Sequence, residues 1–155
     1  MEIEFTLNGK RVYARIEDDT TLFRLLRNKG CYSVKCGCET ENCGLCTVLV
    51  NGTARLSCSF LAVRANECEV ITLEGAAKEA EAFGAYLAEE GAEQCGFCSP
   101  GLIMNVLAME QEEKIPGDEE IKEYLAGNLC RCSGYMGQLR AVKKYLNRGG
   151  KRNGL

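Results

Sequence analysis

Apolar positions alternate with polar ones at the start of the chain, where Ile3, Phe5 and Leu7 are each followed by a polar residue. Successive side chains on a strand point to opposite faces, so this spacing predicts a half-buried strand. Asn8-Gly9 follows, and Val12-Tyr13-Ala14-Arg15-Ile16 resumes the pattern. Both residues of an Asn-Gly pair accept positive φ, as a tight hairpin turn requires. The arrangement recurs in Thr47-Val48-Leu49-Val50, Asn51-Gly52 and the run from Thr53 to Leu56, while Glu69-Val70-Ile71-Thr72-Leu73 predicts one more strand. Between the hairpins, Asp18, Asp19 and Thr20 offer capping oxygens ahead of Leu22, Leu25 and Leu26, and Gly30 stands past the last apolar position. That predicts a helix of about two to three turns.

Beyond Glu74-Gly75 the period changes from that of a strand to that of a helix. Ala80, Phe83 and Leu87 share one face, with Gly91 as a stop. Ser99-Pro100 is an N-cap and first-turn pair for a helix carrying Leu102, Ile103, Val106 and Leu107. Pro116-Gly117 breaks that helix, Asp118 caps another through Ile121, Tyr124 and Leu125, and Leu139, Val142 and Leu146 mark the last. Four short helices predict a bundle. The expected fold class is α+β, with a small sheet-and-helix domain over residues 1–75, a helical domain over 76–148 and a flexible tail over 149–155.

Composition adds a constraint on stability. With 46% hydrophobic and 26% charged residues the chain has the mix of a soluble globular protein. Aromatics are only 7% and Trp is absent, so two domains of this size have thin cores and would gain from a metal staple. A formal charge of −3 gives no broad basic surface for nucleic acid. The basic cluster Lys143, Lys144, Arg148, Lys151 and Arg152 reads as a solvated helix face plus a frayed tail. No apolar run approaches the length of a membrane span, and Met1 to Phe5 do not read as a secretory signal, so the expected location is the cytoplasm.

Eleven cysteines carry the chemistry. Their odd number, the missing export signal and the C-x-C and C-x2-C spacings oppose a disulfide framework, because bridges between near neighbours are strained while a shared metal is not. Cys38, Cys43 and Cys46 form the one C-x4-C-x2-C triple, and Cys58 follows as a fourth thiol. This is the plant-type ferredoxin spacing, in which four thiolates converge on two irons from a tight loop. Gly37 and Gly44 let the backbone approach and turn there. A four-cysteine zinc site competes, although zinc more often uses paired C-x2-C knuckles. The second set is Cys95-Gly96-Phe97-Cys98 with Cys130-Arg131-Cys132, and its spacing leaves zinc, [2Fe-2S] and [4Fe-4S] open. A helix starting after Cys98, and Arg131 between the other pair, favour an anionic centre. Cys31, Cys36 and Cys68 read as small buried hydrophobes, with Cys36 close enough to Cys38 to act as a reserve ligand. His is absent, so no Ser-His-Asp or Cys-His catalysis resides in this chain.

Further residues frame both sets: Ser33-Val34-Lys35, Gly37-Cys38, Cys43-Gly44-Leu45-Cys46-Thr47-Val48, Ser57-Cys58, Gln94 to Gly101, and Gly127-Asn128-Leu129-Cys130-Arg131-Cys132-Ser133-Gly134-Tyr135. In this order they resemble the small iron-sulfur subunit of the molybdenum hydroxylases, the xanthine dehydrogenase and aldehyde oxidoreductase family. The resemblance implies a β-grasp ferredoxin domain followed by a four-helix bundle, each with one [2Fe-2S] cluster. Cys38, Cys43, Cys46 and Cys58 would hold one cluster, and Cys95, Cys98, Cys130 and Cys132 the other. It further implies electrons arriving from molybdopterin on a large partner subunit and leaving to FAD on a third chain, in a dimer of heterotrimers with no nucleic acid or membrane partner. Gln94, through its amide, and Cys132, through its sulfur, would lie closest to the pterin. The complex would hydroxylate a heterocycle such as a purine, or an aldehyde. Departures from the common pattern are Cys36, Leu45 in place of Ala, and Ser99 and Ser133 in place of frequent threonines; none removes a ligand. An independent two-cluster ferredoxin or redox sensor is the alternative of a different class, and a zinc-binding interaction module a third.

Overall fold

The N-terminal alternation folds into an antiparallel hairpin of β1 (Glu2–Leu7) and β2 (Lys10–Arg15), in register from Glu2 opposite Arg15 to Leu7 opposite Lys10. At the turn Asn8 and Gly9 both have positive φ, 50° and 77°. The second Asn-Gly pair behaves alike between β3 (Thr47–Val50) and β4 (Thr53–Leu56). The short β5 (Glu69–Ile71) runs parallel to β1 and antiparallel to β3, giving the sheet order β2-β1-β5-β3-β4. The structure, a computed structural model, describes residues 1–112 and 116–148.

One face of the sheet buries Ile3, Phe5, Leu7, Val48, Val50 and Val70 against Leu22, Leu25 and Leu26 of α1 (Leu22–Asn28). The other face is covered by helices, and β3 therefore has four buried residues in a row. Val48 and Val50 enter the first core, while Leu49 points the opposite way into the helical core. That is the period of two at work, and it makes β3 the wall shared by both halves.

A 3-10 turn at Leu73–Gly75 leads into α2 (Ala77–Glu89), followed by α3 (Ser99–Glu110), α4 (Asp118–Leu125) and α5 (Met136–Leu146). The central helix α3 lies against β3 and is buried on nearly every side. Phe83, Leu87, Met104, Ile121, Val142 and Tyr145 fill the space between the four helices. Tyr145 sits edge-on to Phe83 at 5.1 Å and to Tyr86 at 5.7 Å, and its hydroxyl donates to Glu110 Oε2 at 2.8 Å. Each such fully buried side chain stabilises the fold by about 1.5–3 kcal/mol. The fold is thus α+β, a β-grasp half and a four-helix half.

Three caps fall one residue away from expectation. Thr21, not Asp18, Asp19 or Thr20, caps α1, its hydroxyl accepting the Arg24 N–H at 3.3 Å, because Thr20 Oγ1 already accepts from Glu17 N–H. Cys98 rather than Ser99 precedes α3, since its backbone is already near-helical and the Ser99 hydroxyl donates instead to Glu93 at 3.1 Å. Gly117 occupies the cap of α4, its N–H donating to Glu120 at 2.7 Å, which leaves Asp118 to pair with Lys143 of α5. The basic face of α5 is solvated as expected, yet tied down: Arg140 and Lys144 share Glu90, and Arg148 pairs with Glu110. Lys151, Arg152 and the expected tail at 149–155 lie outside the described residues. Among the described residues no helix is long and apolar enough to cross a membrane.

Candidate metal centres

The loop between α1 and β3 has no regular structure and carries Cys38, Cys43 and Cys46. Its turns aim backbone N–H groups at sulfur: those of Thr40, Asn42 and Cys43, with the Cys43 thiol, hold Cys38 down to about 6. Burial pushes Cys43 up, and the neighbouring Cys38 adds to this. On the other side of the loop Ser57 fixes the approach of Cys58. The buried Ser57 hydroxyl donates to the Cys46 carbonyl at 2.7 Å, and its N–H to the same oxygen at 3.2 Å. Cys58 then meets Cys46, and burial together with that thiol raises Cys58 to about 12. The quartet thus divides into two contacting pairs, Cys38 with Cys43 and Cys46 with Cys58.

The second set is assembled across the bundle from the segment before α3 and the loop between α4 and α5. Cys132 Sγ lies 3.6 Å from Cys95 Sγ, and Cys98 contacts Cys130. Burial pushes Cys130 up, but hydrogen bonds from the Ser133 hydroxyl at 3.2 Å and from the N–H groups of Cys132 and Ser133 at 3.4 Å outweigh it and leave Cys130 lowered to about 7. Cys95 is lowered mainly by the Phe97 N–H, and Cys132, sharing its hydrogen with Cys95, is raised. Cys98, at the start of α3, is raised to about 11 by burial and by Cys130.

Three of the pairs share a pattern in which donors lower one sulfur while its neighbour is raised: Cys38 beside Cys43, Cys95 beside Cys132, and Cys130 beside Cys98. Four thiolates gathered this closely are short of positive charge, and metal ions are the means of supplying it. A tetrahedral zinc site would bring four donors to one point. Thiols presented two by two suit a binuclear centre instead, with one pair for each iron.

The two sets open on one cleft of about 380 Å³, lined by residues of both, including Cys38, Cys43, Cys95, Cys98, Cys130 and Cys132. Glycines permit the close approach. Gly44 has φ +75°, and a Cβ there would run into Asn128 and the Gly127 carbonyl; a Cβ on Gly101 would run into the Gly44 carbonyl. The buried Asn128 closes the contact, donating to the Gly44 carbonyl at 3.2 Å and accepting from Asn105 at 2.6 Å. Leu129 N–H donates to the Cys43 carbonyl at 2.9 Å.

Gln94, Cys95 and Cys132 are exposed, as are Phe97, Leu129, Tyr135 and Met136. Tyr135 combines positive φ, 68°, with a hydroxyl that accepts the Cys130 N–H at 3.0 Å. Gln138 is buried, with its amide 3.8 Å from Cys98 Sγ. Spacing gave no signal for Gln138, Asn105 or the Leu129 contact, since each depends on how helices dock. Of the remaining thiols, Cys31 is buried and Cys68 half-buried. Cys36 is not a buried hydrophobe: it is exposed, its thiol donating to the Cys38 carbonyl at 2.9 Å, because the loop turns it outward.

Comparison with known proteins agrees with this geometry. Residues 5–82 match a 2Fe-2S iron-sulfur cluster binding domain, and residues 72–143 a [2Fe-2S] binding domain. The xanthine dehydrogenase iron-sulfur-binding subunit of Escherichia coli O157:H7 is 50% identical over 138 residues, covering 86% of each chain. The nicotinate dehydrogenase small FeS subunit of Eubacterium barkeri is 40% identical, covering 92% of each. Among solved structures, quinoline 2-oxidoreductase from Pseudomonas putida 86 matches with a TM-score of 0.86 and 32% identity over 100% of this chain and 98% of that one. The aldehyde oxidoreductase of Desulfovibrio gigas matches at 0.84 and 28% over 95% of this chain, which spans 17% of that longer polypeptide. By sequence, domain content and fold, the chain belongs to the iron-sulfur-binding subunits of the xanthine dehydrogenase family of molybdenum hydroxylases.

Proposed function

We propose that this chain relays single electrons within a molybdenum hydroxylase complex that acts on a heterocycle, such as a purine, or an aldehyde. Residues 1–75 would form one cluster-binding domain and residues 76–148 the other. Cys38, Cys43, Cys46 and Cys58 would hold one [2Fe-2S] cluster, and Cys95, Cys98, Cys130 and Cys132 the second, each iron taking one of the contacting pairs. When bound, each cluster supplies a one-electron carrier with a charge of about −2 in its oxidised form. The chain's part is to place and insulate these carriers, and to set their potentials through burial and hydrogen bonds to sulfur.

The observation that carries this reading is the bridge between the two sets. Leu129 N–H donates to the Cys43 carbonyl at 2.9 Å, and Leu129 is bonded directly to Cys130. A proposed ligand of one cluster is thereby joined to a proposed ligand of the other by covalent bonds and a single hydrogen bond. Gln94 and Cys132, both exposed, are the residues proposed to meet the pterin of the large molybdenum subunit. An FAD-binding subunit would take electrons from the first cluster, and the assembly would be a cytoplasmic dimer of heterotrimers.

Low-temperature EPR of the dithionite-reduced complex, with metal analysis, tests the reading. Two distinct [2Fe-2S] signals and about four irons per chain are expected. A colourless preparation carrying zinc would overturn it.

A further inference from the structure

Lys35 belongs to the first loop by its backbone and to the second by its side chain. Its N–H donates to the Leu45 carbonyl at 3.3 Å, directly after the buried Val34. Its ammonium crosses to the second set, 4.8 Å from the centroid of the Phe97 ring and 3.5 Å from the Phe97 carbonyl. Phe97 stands between Cys95 and Cys98, and its own N–H is the chief donor to the Cys95 sulfur. A ring face and a carbonyl hold the ammonium without neutralising it. A full positive charge from one half of the molecule is thus seated on the loop with which the other half would grip its cluster. Arg131, exposed, lines the cleft between the two sets, whereas the Glu41 carboxylate acts on Cys58 of the first set.

We infer that Lys35 is a positioning residue through which the N-terminal half raises the reduction potential of the second cluster. The inference rests on the ligand reading proposed above. Reduction adds one electron to a centre that is already anionic, so a fixed cation nearby stabilises the reduced form. Phe97 provides the seat: its ring and carbonyl hold the charge on the same residue whose N–H donates to the Cys95 sulfur. For unit charges roughly 10 Å apart at an effective dielectric of about 20, losing the cation shifts the reduction equilibrium roughly tenfold. That is 59 mV for a one-electron couple.

The test is an EPR-monitored redox titration of the assembled complex containing Lys35→Met or Lys35→Arg, with the second cluster's signal identified as the one altered by Cys98→Ser. In Lys35→Met the midpoint of that signal should fall by roughly tenfold in the equilibrium, more than the midpoint of the first, while Lys35→Arg keeps it close to wild type. Unchanged midpoints in Lys35→Met with both signals present would overturn the inference. If Lys35→Met does not assemble, Lys35→Gln is read in the same way, and loss of the second cluster from both neutral variants would make Lys35 a structural residue and equally refute it. A wild-type complex lacking two [2Fe-2S] signals would instead refute the ligand reading itself.

Discussion

The two cysteine sets solve one problem by different routes. The first is built almost entirely from contiguous chain: a loop with three of its thiols, and a hairpin that returns Cys58 through the Ser57 contacts to Cys46. Cys43 and Cys46 are buried there. The second joins segments as far apart as Cys95 and Cys132, and leaves both of those thiols exposed. A centre made locally depends on the conformation of one loop. A centre made by docking depends on the packing of α3, α4 and α5.

The largest effect that could break this contrast comes from removing a buried thiol of the local set. In Cys46→Ser the first cluster is expected to be lost, the iron content to fall to roughly half, and the second EPR signal to persist because none of its four thiols is removed. Turnover of the complex should fall by more than about 100-fold, since outer parts of metal sites alone are worth 10–100-fold. If both signals vanished together, the two halves would be one cooperative site and the contrast would fail.

A smaller effect tests how the halves are joined. Asn128→Ala removes the amide donor of the Gly44 carbonyl, which keeps the Thr47 N–H and hydroxyl, and leaves Asn105 with Gly101 and Thr47, while removing no thiol. Losing a hydrogen bond between groups that keep other partners costs about 0.5–1.5 kcal/mol. The loss should appear in thermal unfolding of the holo chain, and the second cluster's signal should broaden more than the first's. A stability unchanged within about 0.5 kcal/mol would show that the junction is held by the glycine contacts alone.

These two tests also mark what the sequence makes legible. Both hairpins could be read because Asn8-Gly9 and Asn51-Gly52 need nothing beyond their own φ preferences. The cysteine quartets could be proposed because thiol spacing within a loop is a local property. The pairing of Cys95 with Cys132, the Leu129 bridge and the seat of Lys35 could not be read, since the first depends on helices meeting across the bundle and the other two on the docking of one half of the chain against the other. Caps were misplaced by one residue wherever a neighbouring side chain, such as Thr20 or Ser99, had a second partner to choose.

The smallest effect concerns the chain before any iron is bound, and it reads the local set at the level of single protons. Cys38 is held down to about 6 by backbone N–H groups, while burial and Cys46 raise its neighbour Cys58 to about 12. At pH 7 the first is a thiolate and the second a thiol. Thiolates are the nucleophiles, so iodoacetamide should modify Cys38 well before Cys58 in the iron-free protein, as mapped by mass spectrometry. The sign of the linked stability follows. For Cys38, whose pKa is depressed on folding, the contribution is fully present above the unfolded value of about 8.5 and is lost as pH falls through about 6. Cys58 runs the opposite way: its contribution is present below the unfolded value and disappears as pH rises through about 12. The alkylation rate at Cys38 should therefore decline between about pH 8 and pH 5, while Cys58 stays slow throughout. Equal rates at the two positions would mean that the loop's N–H donors are not organised until iron arrives, and the local set would then be no more preformed than the docked one.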